Sequence, residues 1–210
     1  MHAFQTYFFI VFVFSKNTFF KNPLEEERTI KTTTQENLIS AFAGESQAHM
    51  RYLYFANIAD KEGFPNVARL FKAVAYSEQI HAHKHFMNLK HLNDGFLTVA
   101  HAPFGPGNTS KALEHGIMGE EYEISEMYPA FLKVAEFQEE EGAQFTFNWA
   151  LQSEKEHAKL FKRAKESVDK GNDAPFGPIY VCERCGFTAE GEVPDVCPVC
   201  NAPKDEFKEF

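Results

Sequence analysis

The chain has 210 residues, 44% of them hydrophobic, and a net charge of −9. That length buries one sizeable core and leaves room for a small appended module. The acidic balance, with no stretch that gathers Lys and Arg, excludes a protein that neutralises runs of nucleic-acid phosphates.

Residues 1–32 read as an atypical extension: seven of the 23 Phe fall in the first 20 positions, and Tyr7 to Phe14 form an apolar run of eight. Such a run is too short for a transmembrane helix, which needs about 20 residues. It also lacks the basic start and small-residue cleavage site of a secretory signal. A disordered or mis-started extension is expected, with an organelle presequence, an interfacial anchor or a strand added to a partner as the alternatives. Thr33-Thr34-Gln35-Glu36 then reads as a capping box, Thr33 capping and Glu36 reaching back. The helix it opens runs to about Lys61, where Gly63 and Pro65 supply a stop and a restart.

A second helix extends to about Asn93. From Asp94 to Thr109, the breakers Gly95, Pro103, Gly105, Pro106 and Gly107 mark one long crossover. A third helix is expected from about Ser110 to Glu140, bent at Pro129, and a fourth from Gly142 to Lys170. Residues 33–170 thus form a four-helix bundle, 171–178 a linker and 179–210 a cysteine-bearing module.

Each bundle helix carries a glutamate on its apolar stripe. The stripes are Leu38, Phe42, Glu45, Tyr52; Phe71, Val74, Glu78, His81; Ile117, Glu120, Glu123, Met127, Phe131; and Phe147, Leu151, Glu154, His157, Phe161. One such glutamate alone reads best as a solvated residue, but four on four core faces do not. Glu45 to Glu78 is 33 residues and Glu120 to Glu154 is 34, so the second half repeats the first, each ending in Glu-x-x-His. That spacing sets two ligands on one helical face, and the whole set is the donor pattern of a carboxylate-bridged two-metal bundle.

Carboxylates with imidazoles suit iron or manganese. Two such ions hold the electrons needed to split an O–O bond, which points to peroxide or dioxygen. Tyr52 and Tyr128 are candidates to hydrogen-bond the ligand carboxylates. Glu121, Glu126, Glu139, Glu140, Glu141 and Glu156 are read as surface residues. His49, His83, His85 and His91 are read as outer or surface groups, with His85, one turn beyond His81, as a competitor for metal.

All four cysteines lie near the C-terminus as two Cys-x-x-Cys pairs, Cys182 with Cys185 and Cys197 with Cys200. They are expected to form a four-thiolate metal site in a reducing compartment, the cytoplasm, with organelle targeting by residues 1–32 as the alternative. Iron fits the tight knuckles at Gly186 and Pro198 and the small dry core of Tyr180 and Phe207. A structural zinc ribbon is the alternative.

Together these segments resemble the rubrerythrin family over about 33–210. The resemblance rests on Gly44-Glu45-Ser46-Gln47-Ala48, Glu78-Gln79-Ile80-His81, Glu120-Glu121-Tyr122-Glu123, Met127-Tyr128-Pro129, Glu154-Lys155-Glu156-His157 and Cys197-Pro198-Val199-Cys200. It implies a ferritin-like diiron bundle followed by a rubredoxin-like iron domain. It further implies that Glu78 and Glu154 bridge the irons, Glu45 and Glu120 are terminal, His157 holds the second iron, and His81 alternates with Glu123 on the first.

The implied activity is reduction of hydrogen peroxide to water, with electrons from an external reductase passing through the four-cysteine iron. The implied assembly is a homodimer or larger, one subunit's rubredoxin-like domain serving another's diiron site. Asn201 departs from the family's Gly after the last Cys, a change that a left-handed backbone tolerates, and residues 1–32 have no counterpart. The competing reading is a ferritin-like ferroxidase or storage protein with a structural zinc ribbon; nothing selects the organic substrate of an oxygenase.

Overall fold

The computed structural model describes residues 29–210, so the expectations for the apolar run at Tyr7 to Phe14 lie outside the described residues. Four helical rods form the bundle: α1 (Thr32–Glu62), α2 (Pro65–Asn88), a composite third rod, and α5 (Glu141–Val168). The third rod is α3 (Thr109–Tyr122), a π-helical turn over Glu123–Met127, and α4 (Tyr128–Phe137). No helix among the described residues is long and apolar enough to cross a membrane.

The capping box at Thr33 does not form. Helix α1 starts at Thr32 after Lys31, which makes no side-chain cap. Its first amides are satisfied from the distant turn between α4 and α5. Gln138 Oε1 accepts from Thr34 N at 3.0 Å and from Thr34 Oγ1 at 2.6 Å, and Glu140 Oε1 accepts from Lys31 N at 3.0 Å. Tertiary acceptors thus replace the local cap, and Glu140, expected at the surface, is buried instead.

At its other end α1 stops where the sequence indicates. Gly63 takes φ 86°, and the amides of Gly63 and Phe64 bond back to Asp60 and Ala59. Helix α2 ends at Asn88, short of the expected Asn93, because Leu89 and Leu92 close single turns and tuck in against the core. The crossover from there to Thr109 holds neither helix nor strand.

The break in the third rod lies just before Pro129 rather than at it. Proline lacks the amide that would bond the carbonyl four residues back, and the chain widens in the preceding turn, so that Tyr128 N reaches Glu123 O.

The core is split along the bundle axis. One apolar cluster contains Tyr52, Phe55, Phe71 and Phe161, and another Leu38, Leu89, Tyr128 and Phe147. Each rod passes from one cluster to the other through its glutamate, so the carboxylates form a polar layer between two dry ones.

The C-terminal domain is an antiparallel sheet of β1 (Ile179–Cys182), β2 (Thr188–Glu190) and β3 (Phe207–Glu209), in the order β2-β1-β3. Its seat on the bundle is set by the linker. Asp173 caps α2 by accepting from Asn66 N at 2.9 Å and Val67 N at 3.3 Å. Arg69 donates to the carbonyls of Phe176 and Gly177, and Ala174 and Phe176 are buried. The anchored linker seats the domain against the bundle, with β1 against α2 and β2 against α5.

Candidate metal centre

The carboxylate layer contains two groups of donors. Glu45, Glu78, His81 and Glu154 form one and Glu78, Glu120, Glu154 and His157 the other, with donor atoms in each within 4.8 Å of one another and every residue buried. Glu78 and Glu154 are common to both. Two Nδ1 atoms point in: His81 Nδ1 lies 3.0 Å from Glu78 Oε2 and 2.9 Å from Glu154 Oε1, and His157 Nδ1 lies 2.5 Å from Glu154 Oε2 and 3.4 Å from Glu78 Oε1.

The centre fits cations on the strength of its unsatisfied atoms. Glu45 Oε2, Glu78 Oε1 and Glu120 Oε2 are buried without a hydrogen-bond partner, and the Glu154 oxygens have only the two crowded Nδ1 atoms beside them. Isolated carboxylates in such a site carry a prohibitive desolvation cost unless ions or protons neutralise them. Without metal the protons must do so. Burial, then Glu78 and Glu154, hold Glu45 well above the usual carboxylate range. Burial, with Glu154 and Glu78 adding, pushes Glu120 to about 8. Burial would also raise Glu154, but the two histidines outweigh it and draw it down. The histidines move the other way: against burial, Glu154 and Glu78 lift both His81 and His157.

The tyrosines brace the terminal carboxylates. Tyr52 Oη donates to Glu120 Oε1 at 2.6 Å, and Tyr128 Oη donates to Glu45 Oε1. Behind Tyr128 stands His85, its Nε2 3.0 Å from the phenol oxygen and its Nδ1 3.0 Å from Thr146 Oγ1. His85 therefore belongs to neither donor group. Burial, with His81 adding, lowers it to about 3, so it stays neutral and donates from Nε2 to Tyr128.

Glu123 stands apart. It opens the π-helical turn, is half-buried, and belongs to neither donor group. It lines a cavity of about 830 Å³ with Gly44, Gly119 and Met127.

The four cysteines converge as the spacing requires. Cys182 and Cys200 sulfurs are 3.6 Å apart, as are those of Cys185 and Cys197. That is too long for a disulfide and close to the edge, roughly 3.8 Å, of a tetrahedron with metal–sulfur bonds of about 2.3 Å. The two knuckles are built alike: Gly186 N bonds Cys182 O at 2.8 Å and Asn201 N bonds Cys197 O at 3.0 Å. Gly186 and Asn201 both take left-handed backbones, φ 84° and 59°, so Asn stands where the geometry allows the family's Gly to be replaced.

Ser77 and Thr188, which had no warning in the sequence, and Gly186, expected only as a knuckle glycine, connect the two sites. The Gly186 carbonyl, next to Cys185, accepts from Ser77 Oγ at 2.6 Å and from Thr188 Oγ1 at 3.2 Å. Each hydroxyl has spent its proton, so it accepts from an imidazole: His81 Nε2 is 3.4 Å from Ser77 Oγ, and His157 Nε2 is 2.9 Å from Thr188 Oγ1. With Nε2 keeping its proton on the hydroxyl, each Nδ1 would turn a lone pair toward a cation that displaced the proton it shares with the carboxylate layer. Gly186 has no room for a Cβ, which would collide with the His81 ring and lie 2.8 Å from Ser77 Oγ.

Comparison with known proteins agrees with this architecture. Residues 36–165 match rubrerythrin, and residues 180–208 match the rubrerythrin rubredoxin-like domain. The chain is 46% identical over 177 residues to Rubrerythrin-2 of Clostridium acetobutylicum, covering 84% of this chain and 96% of that one. The fully reduced, all-ferrous structure of nigerythrin superposes with a TM-score of 0.74 at 33% identity, over 89% of this chain and 91% of that one. The bacterioferritin BfrA of Mycobacterium tuberculosis, at 16% identity and a TM-score of 0.60 over 68% of this chain and 90% of that one, shares the bundle fold. A ferritin-like bundle with paired carboxylate and histidine groups, joined to a rubredoxin-like four-cysteine domain, makes this chain a member of the rubrerythrin family.

Proposed function

We propose that the protein is a non-haem diiron peroxidase that reduces hydrogen peroxide to water, taking electrons from an external reductase through iron held by Cys182, Cys185, Cys197 and Cys200. The observation that carries this reading is the Gly186 carbonyl, which draws both Ser77 and Thr188 and through them both inward histidines. A structural zinc ribbon needs no such contact with two buried imidazoles. A domain that feeds electrons to the pair does.

Bound iron supplies the two electrons that cleave the O–O bond. The chain does the rest. Glu78 and Glu154, shared by both donor groups, would hold both ions. Glu45 with His81 and Glu120 with His157 would complete the two ends of the pair. Tyr128 and Tyr52 hold Glu45 and Glu120 in register, and neutral His85 keeps the Tyr128 proton directed at Glu45. Burial, then Glu45 and Glu120, raise the proton affinity of Glu123, which holds a proton at the cavity wall and would be the residue to alternate with His81 as a ligand, as the resemblance implies. The expected setting is the cytoplasm, as a homodimer or larger assembly.

The test is anaerobic purification, metal analysis of both sites, and peroxide consumption driven by a reduced-nicotinamide electron chain. Iron in both sites with sustained turnover is expected. Zinc in the cysteine site without peroxide-dependent turnover would replace this reading with the ferroxidase or storage one.

A further inference from the structure

The cavity at Glu123 is far larger than hydrogen peroxide requires, about 830 Å³ between α1, α3 and the crossover. Its lining is mostly apolar, with Val99, Pro103, Met118 and Met127 among the walls. A second apolar recess of about 460 Å³, walled by Met50, Tyr54 and Phe104, adjoins it across Gln47, Arg51, Ala102 and Pro103.

The cavity's charged groups stand toward its two ends. Arg51 and Gly44 are seven residues apart on α1, roughly 10 Å along the axis, and His115 and Glu123 span a similar length of the facing rod. Glu123 and Met127 therefore occupy one end, and Arg51, Lys111, Glu114 and His115 the other.

At that second end two polar side chains, Arg51 and His115, have hydrogen-bonding atoms without a partner among the described residues. Lys111 and Glu114 pair with each other at 2.6 Å. Arg51 makes no ion pair among the described residues: its Nε donates to Gln47 Oε1 at 3.0 Å, and its plane is held over the rings of Tyr52 and Phe55 at 5.0 and 5.8 Å. Its Nη1 is buried without a partner, as is His115 Nδ1. A guanidinium fixed in this way is preorganised for a carboxylate.

We propose that this cavity binds the hydroperoxide of a medium- or long-chain carboxylic acid, its acid group on Arg51 and His115, its chain along the apolar walls and its peroxide group at Glu123. The reaction is ROOH + 2 electrons + 2 protons giving ROH + water. The O–O bond breaks, the electrons come from the reduced metal pair refilled by the external donor, and the protons come from solvent. The inference rests on the peroxidase reading for its chemistry but not for its binding step.

Two measurements test it separately. Titration of the full chain with decanoate, an unreactive acid, followed by calorimetry, should show saturable binding. Arg51→Met should weaken it about tenfold or more and His115→Phe by less, in line with loss of charged and neutral hydrogen bonds. On the holoenzyme, the ratio of kcat/KM for a fatty-acid hydroperoxide to that for hydrogen peroxide should fall about tenfold in Arg51→Met, chiefly through KM.

Absence of saturable decanoate binding, as when a second copy covers the groove, overturns the proposal. So does a kcat/KM ratio that Arg51→Met and His115→Phe leave unmoved. If neither peroxide is turned over while decanoate binds at Arg51, the peroxidase reading fails and the acid site stands.

Discussion

At the scale of single residues, the site divides into groups that had to be acidic and groups that only had to fit. Glu45, Glu78, Glu120 and Glu154 were legible because a carboxylate on an apolar stripe is costly without a cation. Ser77 and Thr188 were not, and Gly186 was legible only as a knuckle glycine, because its contact with Ser77 spans 109 residues. Gly186→Ala is expected to be damaging twice over. It strains a backbone at φ 84° and drives a methyl into His81 and Ser77, costing about 1–3 kcal/mol by thermal unfolding and slowing re-reduction of the oxidised bundle after a single peroxide addition. Asn201→Gly, at the matching position of the other knuckle, should change stability by less than about 1 kcal/mol; equal effects at the two positions would mean that the contact with His81 is unimportant. Glu123→Ala makes the complementary case. Since Glu123 lies outside both donor groups, the variant should still bind two metal ions per bundle yet lose most peroxide turnover, and undiminished turnover at full metal content would remove Glu123 from the mechanism.

At the scale of elements, the helices and their order were legible from breakers and stripes, while the ends depended on what they met. The Thr33 box satisfied every local rule and still lost to Gln138, whose one oxygen takes both the amide and the hydroxyl of Thr34 from 104 residues away. Glu140 is the same lesson: it looked like one of a surface run Glu139–Glu141, and its acceptance of the Lys31 amide buries it. Pro129 did announce an irregularity, but a proline does not reveal that the chain will widen in the turn before it, carrying Glu123 to the cavity wall. The capping assignment can be measured directly. Gln138→Ala should destabilise the fold by about 1–2 kcal/mol, since it leaves a buried amide and hydroxyl unpaired. Thr33→Ala should fall within about 0.5 kcal/mol of wild type, as a surface change does. The reverse order in denaturant unfolding would restore the local box.

At the scale of the whole molecule, the polar layer between two apolar clusters makes the bundle a device whose stability depends on what neutralises its centre. In the metal-free protein Glu120 is held up to about 8 and Glu45 well above the ordinary carboxylate range. The folded state therefore keeps protons that the unfolded chain releases near pH 4.3, and this stabilisation is lost as pH rises toward about 8. His81 and His157, also raised, have the same sign: their contribution is complete below the unfolded value of about 6.5 and fades above it. Glu154, drawn down by those histidines, has the opposite sign, but its contribution is lost only as pH falls below about 4.5, outside this window. The metal-free protein should therefore lose thermal stability steadily between about pH 5 and 8. Metal reverses the dependence, because each ion displaces the protons that the carboxylates and imidazoles had retained. The rise in Tm on adding ferrous ion anaerobically should grow across the same interval. Parallel melting curves of the metal-free and ferrous proteins from pH 5 to 8 decide the matter. A metal-free Tm that is flat or climbs with pH would mean that the carboxylate layer is not protonated in the empty bundle, and that some other cation, not the proton, holds the two halves of the core together.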